Sequence, residues 1–314
     1  MTTKQHREIY NKNLLHPWGD LSELGNDESS SVIVKGKGIH IFDSDGNKMI
    51  DGPAGMWCMQ TGYGRKEIAD AVSKQILSLS YATSFTLIND KETELAKRIS
   101  EQTPGDLNRI YFTTGGSTAV DSALRLCQLA NNIKGASNKK QIITREKAYH
   151  GSTYLSASVT GKERDKTAMD IKREGIHFLK APCHFYYPEF DNEDDFCDFL
   201  INELEEKIIE IGPENIMAFI AEPILASGGV IVPPKNYNYR CWEVVKRYNI
   251  IYIADEVVTA FGRLGYWFAS EHVFGIIPDI IIFAKGITSG YIPMGGYAVS
   301  EKFMSTFSGD EADG

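Results

Sequence analysis

The sequence predicts an α/β fold: a mostly parallel central sheet with helices on both faces. Two observations carry that prediction. Between residues 105 and 300, short apolar runs alternate with stretches of helical periodicity. Several of these runs (IMAFIAEP, IIYIADE, DIIIFAK) are continuously apolar rather than alternating, as strands covered on both faces must be.

In chain order, residues 31–50 read as a hairpin. Val32, Val34, Ile39 and Ile41 lie in β-rich runs, and Asp43 to Asn47 (DSDGN) supplies the turn before Met49 and Ile50. Ile68, Ala71, Val72, Ile76 and Leu79 recur at helical spacing and predict a helix from Arg65 to Ser80. A second helix covers Lys91 to Gln102 and stops at Thr103-Pro104-Gly105. The strands expected after it are Arg109–Thr113, Gln141–Thr144, Gly175–Leu179, Ile216–Ala221, Ile250–Ala254, Ile280–Phe283 and Gly296–Val299. Helices are expected over 117–130, 194–211 and 237–248.

Composition narrows the function classes. The 33 basic residues face 42 acidic ones, a net charge of −9, and no segment gathers a basic run of the kind a nucleic-acid surface needs. The polar N-terminus lacks the apolar core of a secretory signal, and no apolar stretch approaches the roughly 20 residues of a membrane helix. The five cysteines are scattered without a CxxC pair, which predicts free and mostly buried thiols, no metal centre and a cytoplasmic location.

In open parallel sheets ligands bind beyond the carboxyl ends of the strands, so residues directly after the apolar runs are the informative ones. Gly115-Gly116-Ser117 links a strand to a helix. That leaves backbone N–H groups free to cradle a phosphate, although a tight turn capped by Ser117 has the same sequence. The GxxxxGK[ST] phosphate loop is absent, and no GxGxxG fingerprint follows a strand, which counts against a nicotinamide-dependent dehydrogenase. The run Ile251 to Ala254 ends in Asp255-Glu256, carboxylates that call for a cationic partner when desolvated; a helix cap or a structural ion pair is the plainer reading. Ile281 to Ala284 ends in Lys285, a candidate nucleophilic amine if desolvated and otherwise a lysine reaching for solvent. Phe219 to Ala221 ends in Glu222-Pro223. A phosphate cradle, a carboxylate and an isolated lysine on one rim are together what pyridoxal phosphate requires.

With these residues in view, the sequence resembles the class III (ω-) aminotransferase family of fold-type I pyridoxal-phosphate enzymes from about residue 30 to residue 300. The likeness is carried by Ile253 to Gly265 (IADEVVTAFGRLG), Pro278 to Tyr291 (PDIIIFAKGITSGY) with Pro293, Tyr149-His150-Gly151 and Ala221-Glu222-Pro223. The resemblance implies that Lys285 is the catalytic lysine and holds the cofactor covalently, that Asp255 pairs with the pyridine nitrogen, and that Gly116 and Ser117 hold the phosphate. It implies further that Tyr149 and Val257 cover the two ring faces, with Glu222 and His150 nearby and Arg263 structural. Trp57 and Phe85, with Tyr149, are implied to wall the substrate pocket, although a tryptophan in such a glycine-rich segment also suits core packing.

Three departures from the family pattern bear on substrate. Thr118 stands where many relatives carry glutamate. Ser227 replaces a glutamate, and Val258 a glutamine, of the ornithine and γ-aminobutyrate enzymes. The last two point to the branch that uses pyruvate as acceptor and an amine, β-amino acid or ω-amino acid as donor. Family members are homodimers, so a homodimer is expected. They also continue past the residue matching Gly314, so the chain reads as C-terminally truncated: residues 1–60 would contribute to a smaller α+β domain and 61–314 would form the large cofactor domain. The alternatives are another reaction of fold-type I enzymes, such as decarboxylation or an aminomutase reaction, and a non-catalytic fragment.

Overall fold

The computed structural model describes residues 1–15 and 30–307. The polar stretch Ser308 to Gly314 (SGDEADG) lies outside them. Two compact units divide between Ala82 and Thr83.

The first unit opens with a helix that periodicity alone does not reveal, α1 (Thr3–Asn13). Thr2 and Gln5 form a reciprocal capping box at its start. The expected hairpin is a three-stranded antiparallel sheet, β1 (Ile33–Lys37), β2 (His40–Asp43) and β3 (Lys48–Ile50). Asp43 Oδ1 accepts from the Asp45 and Asn47 N–H groups and fixes the β2–β3 turn. A short turn, α2 (Ala54–Trp57), follows, with positive φ at all four residues. Asp51 Oδ2 ties it down by accepting from the Gly55 N–H and, at 2.6 Å, from the Tyr63 hydroxyl. The predicted amphipathic helix spans Lys66–Ser78 (α3).

The second unit begins with α4 (Asp90–Ser100), capped by the Asn89 side chain, and then builds the sheet. In order come β4 (Arg109–Thr113), α5 (Gly116–Ile133), β5 (Gln141–Arg145), α6 (Tyr154–Val159), β6 (Ile176–Leu179), α7 (Glu193–Ile211), β7 (Ile216–Ala221), α8 (Tyr237–Arg247), β8 (Ile251–Asp255), α9 (Ala269–Phe274), β9 (Ile280–Phe283), β10 (Gly295–Val299) and α10 (Glu301–Met304). The sheet order is β4-β10-β9-β8-β7-β5-β6. Every neighbour pair is parallel except those of β10, which runs antiparallel between β4 and β9. The α/β architecture with a mostly parallel sheet is therefore as the sequence predicts.

Alternate residues of the central strands feed two cores. Phe219, Tyr252, Ile281 and Phe283 pack with α7 and α8, whereas Ala218, Ile220, Ile253, Ile280 and Ile282 pack with α5. Burying each of these large side chains contributes about 1.5–3 kcal/mol. Both faces being covered explains why the strands read as unbroken apolar runs. The five cysteines are free; Cys127, Cys197 and Cys241 are buried, and Cys58 and Cys183 are half-buried. Among the described residues no helix is long and apolar enough to cross a membrane.

Candidate active site

Strands β4, β5, β7, β8 and β9 end at one rim of the sheet, and the predicted site residues of the second unit gather there. Asp255 is the last residue of β8 and is buried. Its Oδ2 accepts from His150 Nδ1 at 2.6 Å, and its Oδ1 accepts from the Val257 N–H at 3.1 Å. His150, equally buried, turns its Nε2 to the Thr144 hydroxyl at 3.3 Å. Asp255 pairs with Ile282 across the β8–β9 ladder, so Lys285 leaves the rim on the strand next to it. Lys285 has φ +45, a left-handed conformation that costs a non-glycine residue roughly 1–2 kcal/mol and is typical of functional turns.

The phosphate-cradle candidate is the N-terminus of α5. Gly115 occupies the cap position, no side chain caps the helix, and its first turn carries no acidic residue. First-turn N–H groups have no partners within a helix, so this end is open to an anion. Its surroundings are tight. A Cβ on Gly116 would lie 3.2 and 3.3 Å from the Val257 methyls and 3.6 Å from Ala284 Cβ. A Cβ on Gly151 would lie 2.5 Å from both Ser117 Oγ and Ser156 Oγ. Ser117 Oγ accepts from the Ser152 N–H at 3.1 Å, locking the helix start to the Tyr149–Gly151 segment. Gly116 thus packs against Val257 and the residue before Lys285, and Ser117 against Gly151.

Glu222 follows β7 and acts as a clamp. Its Oε1 accepts from the Tyr149 N–H at 2.8 Å and its Oε2 from the Ala226 N–H at 3.1 Å. Arg145, fully buried at the end of β5, donates to the Glu222 carbonyl. Burial pushes the Glu222 carboxyl up to about 7, and repulsion from Asp255 adds to it. His150, the Tyr149 N–H and Arg145 oppose the rise.

Two further groups belong to this rim: Glu256, which the sequence marks only as a strand-end carboxylate, and Lys162, which the sequence reading passes over. Glu256, fully buried beside Asp255, accepts from the Ala269 N–H (2.7 Å), the Ser270 N–H (2.9 Å), the Ser270 hydroxyl (2.6 Å) and the Thr259 hydroxyl (3.0 Å). It pins the turn that contains Arg263 back onto β8. Lys162 lies 5.6 Å from the Tyr149 ring centroid and donates to Ser227 Oγ. Of the predicted pocket walls, Trp57 lies on the left-handed turn of the first unit, and Phe85 opens the second unit with an almost fully exposed ring.

The residues present fit pyridoxal phosphate: an uncapped helix start for its phosphate, a buried carboxylate, an aromatic side chain and a lysine on a strained turn share one rim. Comparison with known proteins agrees. The class III aminotransferase profile matches residues 22–313, and the chain belongs to that family, whose enzymes depend on pyridoxal phosphate. It is 39% identical over 309 residues to the putrescine–pyruvate aminotransferase of Pseudomonas aeruginosa, covering 98% of this chain and 67% of that one. An (S)-enantioselective ω-transaminase from Thermomicrobium roseum superposes with a TM-score of 0.95 at 36% identity, over 99% of this chain and 69% of that one. The ω-transaminase of Pseudomonas jessenii in complex with PMP superposes with a TM-score of 0.92 at 33% identity, over 96% and 66%. The chain spans 65% and 60% of the length of two further curated relatives.

Proposed function

We propose that this protein is a transaminase that takes an amino group from an amine, β-amino acid or ω-amino acid and delivers it to pyruvate. The observation that carries this reading is the shared rim of Lys285, the His150–Asp255 pair and the uncapped start of α5. Bound pyridoxal phosphate supplies a carbonyl that condenses with amines and a ring that accepts electrons. Lys285 provides the amine that attaches it and later the base that moves a proton at the substrate Cα. Asp255 would pair with the ring nitrogen of the bound cofactor, and His150 keeps that carboxylate aimed. Gly116 and Ser117 bind the phosphate, while Tyr149 and Val257 cover the ring faces. Glu222 holds Tyr149 in place through its backbone N–H. Phe85, within the second unit, is read as a wall for the donor.

Pyruvate as acceptor is supported by the kinship to a putrescine–pyruvate aminotransferase and by Ser227 and Val258 at the two positions that set the γ-aminobutyrate and ornithine enzymes apart. Against it stands 38% identity to the diaminobutyrate–2-oxoglutarate transaminase of Halomonas elongata, so both acceptors belong in the assay. The same reading makes the protein a homodimer, supported by the family resemblance and checked by light scattering; a cytoplasmic location is supported by the scattered free cysteines alone. The decisive experiment is the visible absorption spectrum with pyridoxal phosphate, for the wild type and Lys285→Ala. A lysine-dependent band that bleaches with an amine and returns with pyruvate is the expected result. A band that survives in Lys285→Ala unchanged sinks the assignment.

A further inference from the structure

At the edge of the sheet opposite the rim, where β8 and β9 begin, a cavity of about 190 Å³ opens between the end of α5, the turn before β8 and the start of α10. Its walls carry three lysines, Lys134, Lys139 and Lys302, and one carboxylate, Asp279. Among the described residues none of the three ammonium groups has a carboxylate within ion-pair distance. Lys139, half-buried, donates to the Asn249 carbonyl at 2.7 Å, which fixes its ammonium at the cavity and leaves two of its three N–H groups to spare. The acceptors around it are already taken. The carbonyls of Ala130, Asn131 and Asn132 at the end of α5 accept from the Lys134, Ala136 and Gly135 N–H groups. The Lys139 carbonyl accepts from Asn131 Nδ2 at 2.9 Å, and Asp279 Oδ2 from the Tyr252 N–H at 2.9 Å. What the cavity has in surplus is donors and positive charge.

We propose that this cavity is a binding site for a phosphate dianion, free or at the end of a phosphomonoester. The inference is independent of the transaminase reading above. Three lysines against one aspartate leave two positive charges, which a dianion matches. Asp279 opposes it weakly, because burial holds its carboxyl above the usual carboxylate range. Burial, and then repulsion from Lys134, hold the Lys139 ammonium below its usual value, so an anion between the two lysines replaces repulsion with attraction. The ligand class follows from the donors. Lysines are point charges that can close on a tetrahedral group from different directions, whereas a planar carboxylate is best met by the fork of an arginine, which this cavity lacks among the described residues. The volume is several times the roughly 30 Å³ that one water occupies in the liquid, so a phosphate enters with part of its hydration.

The test is calorimetric titration of inorganic phosphate, and separately of glycerol 2-phosphate, into the cofactor-loaded protein, whose cradle at the start of α5 is then taken. Ionic strength is held constant with sodium chloride. Phosphate is expected to bind the wild type, and to bind about tenfold more weakly after Lys139→Met and about threefold more weakly after Lys134→Met or Lys302→Met. Lys97→Met, on α4 away from the cavity, is expected to change nothing. The exposed Lys134 and Lys302 keep the test decisive if Lys139→Met does not fold, and an unchanged cofactor absorption band verifies each variant. Glycerol 2-phosphate binding as tightly as phosphate assigns the site to phosphomonoesters, and weaker binding assigns it to the free ion. No binding to the wild type, equal binding to wild type and all three cavity variants, or an equal loss in Lys97→Met overturns the proposal. Failure of the transaminase reading is separately visible, as the absence of amine-dependent bleaching in the wild type.

Discussion

His150 Nδ1 and Asp255 Oδ2 lie 2.6 Å apart with both side chains out of reach of solvent. Their segments are far apart in sequence, and each contributes a second tie: Thr144 to the imidazole and the Val257 N–H to the carboxylate. The pair leaves the carboxylate little freedom to turn, and that is what a group directed at one ring atom needs. Asp255→Asn is expected to lower kcat by about 10²–10³, the usual cost of losing one preorganised electrostatic contact. His150→Ala is expected to cost less and to weaken retention of the cofactor. Steady-state kinetics and cofactor dialysis measure both, and a His150 variant as impaired as Asp255→Asn would assign the imidazole a direct part in the chemistry.

Gly151 is crowded from both sides by serine side chains. With φ +142 and two serine oxygens 2.5 Å from an added methyl, Gly151→Ala is expected to destabilise the fold by about 1–3 kcal/mol and to push the start of α5 away from Ser152. Thermal unfolding reads the first effect, and cofactor affinity the second.

Glu222 gives a pH prediction. Its carboxyl, ordinarily near 4.5, rises to about 7 in the folded protein, chiefly through burial. Between those values the folded chain holds a proton that the unfolded chain has released. The stability this group contributes is thus complete below the lower value and is lost as pH rises through the upper one. In the cofactor-free protein, the Tm advantage of wild type over Glu222→Gln is expected to shrink from about pH 5 to about pH 8. A constant difference across that range means the carboxylate is ionised throughout.

Glu256 holds four donors from the turn after β8, all buried with it. Glu256→Ala strands them together, and a loss of about 3 kcal/mol or more in chemical denaturation is expected. A loss under 1 kcal/mol, on the same scale, would mean that water replaces the carboxylate.

Much of this was legible in the sequence for a definite reason. Strands such as Ile216–Ala221 and Ile280–Phe283 carry the mark of two-sided burial in every residue, and their bounds in the structure coincide with those expected. Asp255 was read as following its strand and is instead its last residue, since the β8–β9 ladder continues through it to Ile282. Helix α1 was invisible because its mean hydropathy is low, none of its residues is buried, and its start depends on a local capping box. The antiparallel course of β10 left no trace, because a strand covered on both faces reads alike in either direction. The candidate site residues of the second unit stand at the positions that motifs mark. The lysines gathered around Asp279 carry no such mark, since they lie on segments that only the fold brings together.

The direction of β10 also bears on how the chain is made. Among the described residues β4 has one ladder partner, β10, which emerges from the ribosome long after it. Gly295 must then enter beside Gly115 so closely that a side-chain carbon would lie 2.6 Å from the Gly115 carbonyl. The anion-binding end of α5 therefore cannot take its final form during synthesis of the first strands. It is completed only when β10, the last strand among the described residues, pairs with β4 and β9, a non-local closure. Without β10, β4 would have no ladder partner among the described residues, and the cradle at the start of α5 would be unfinished.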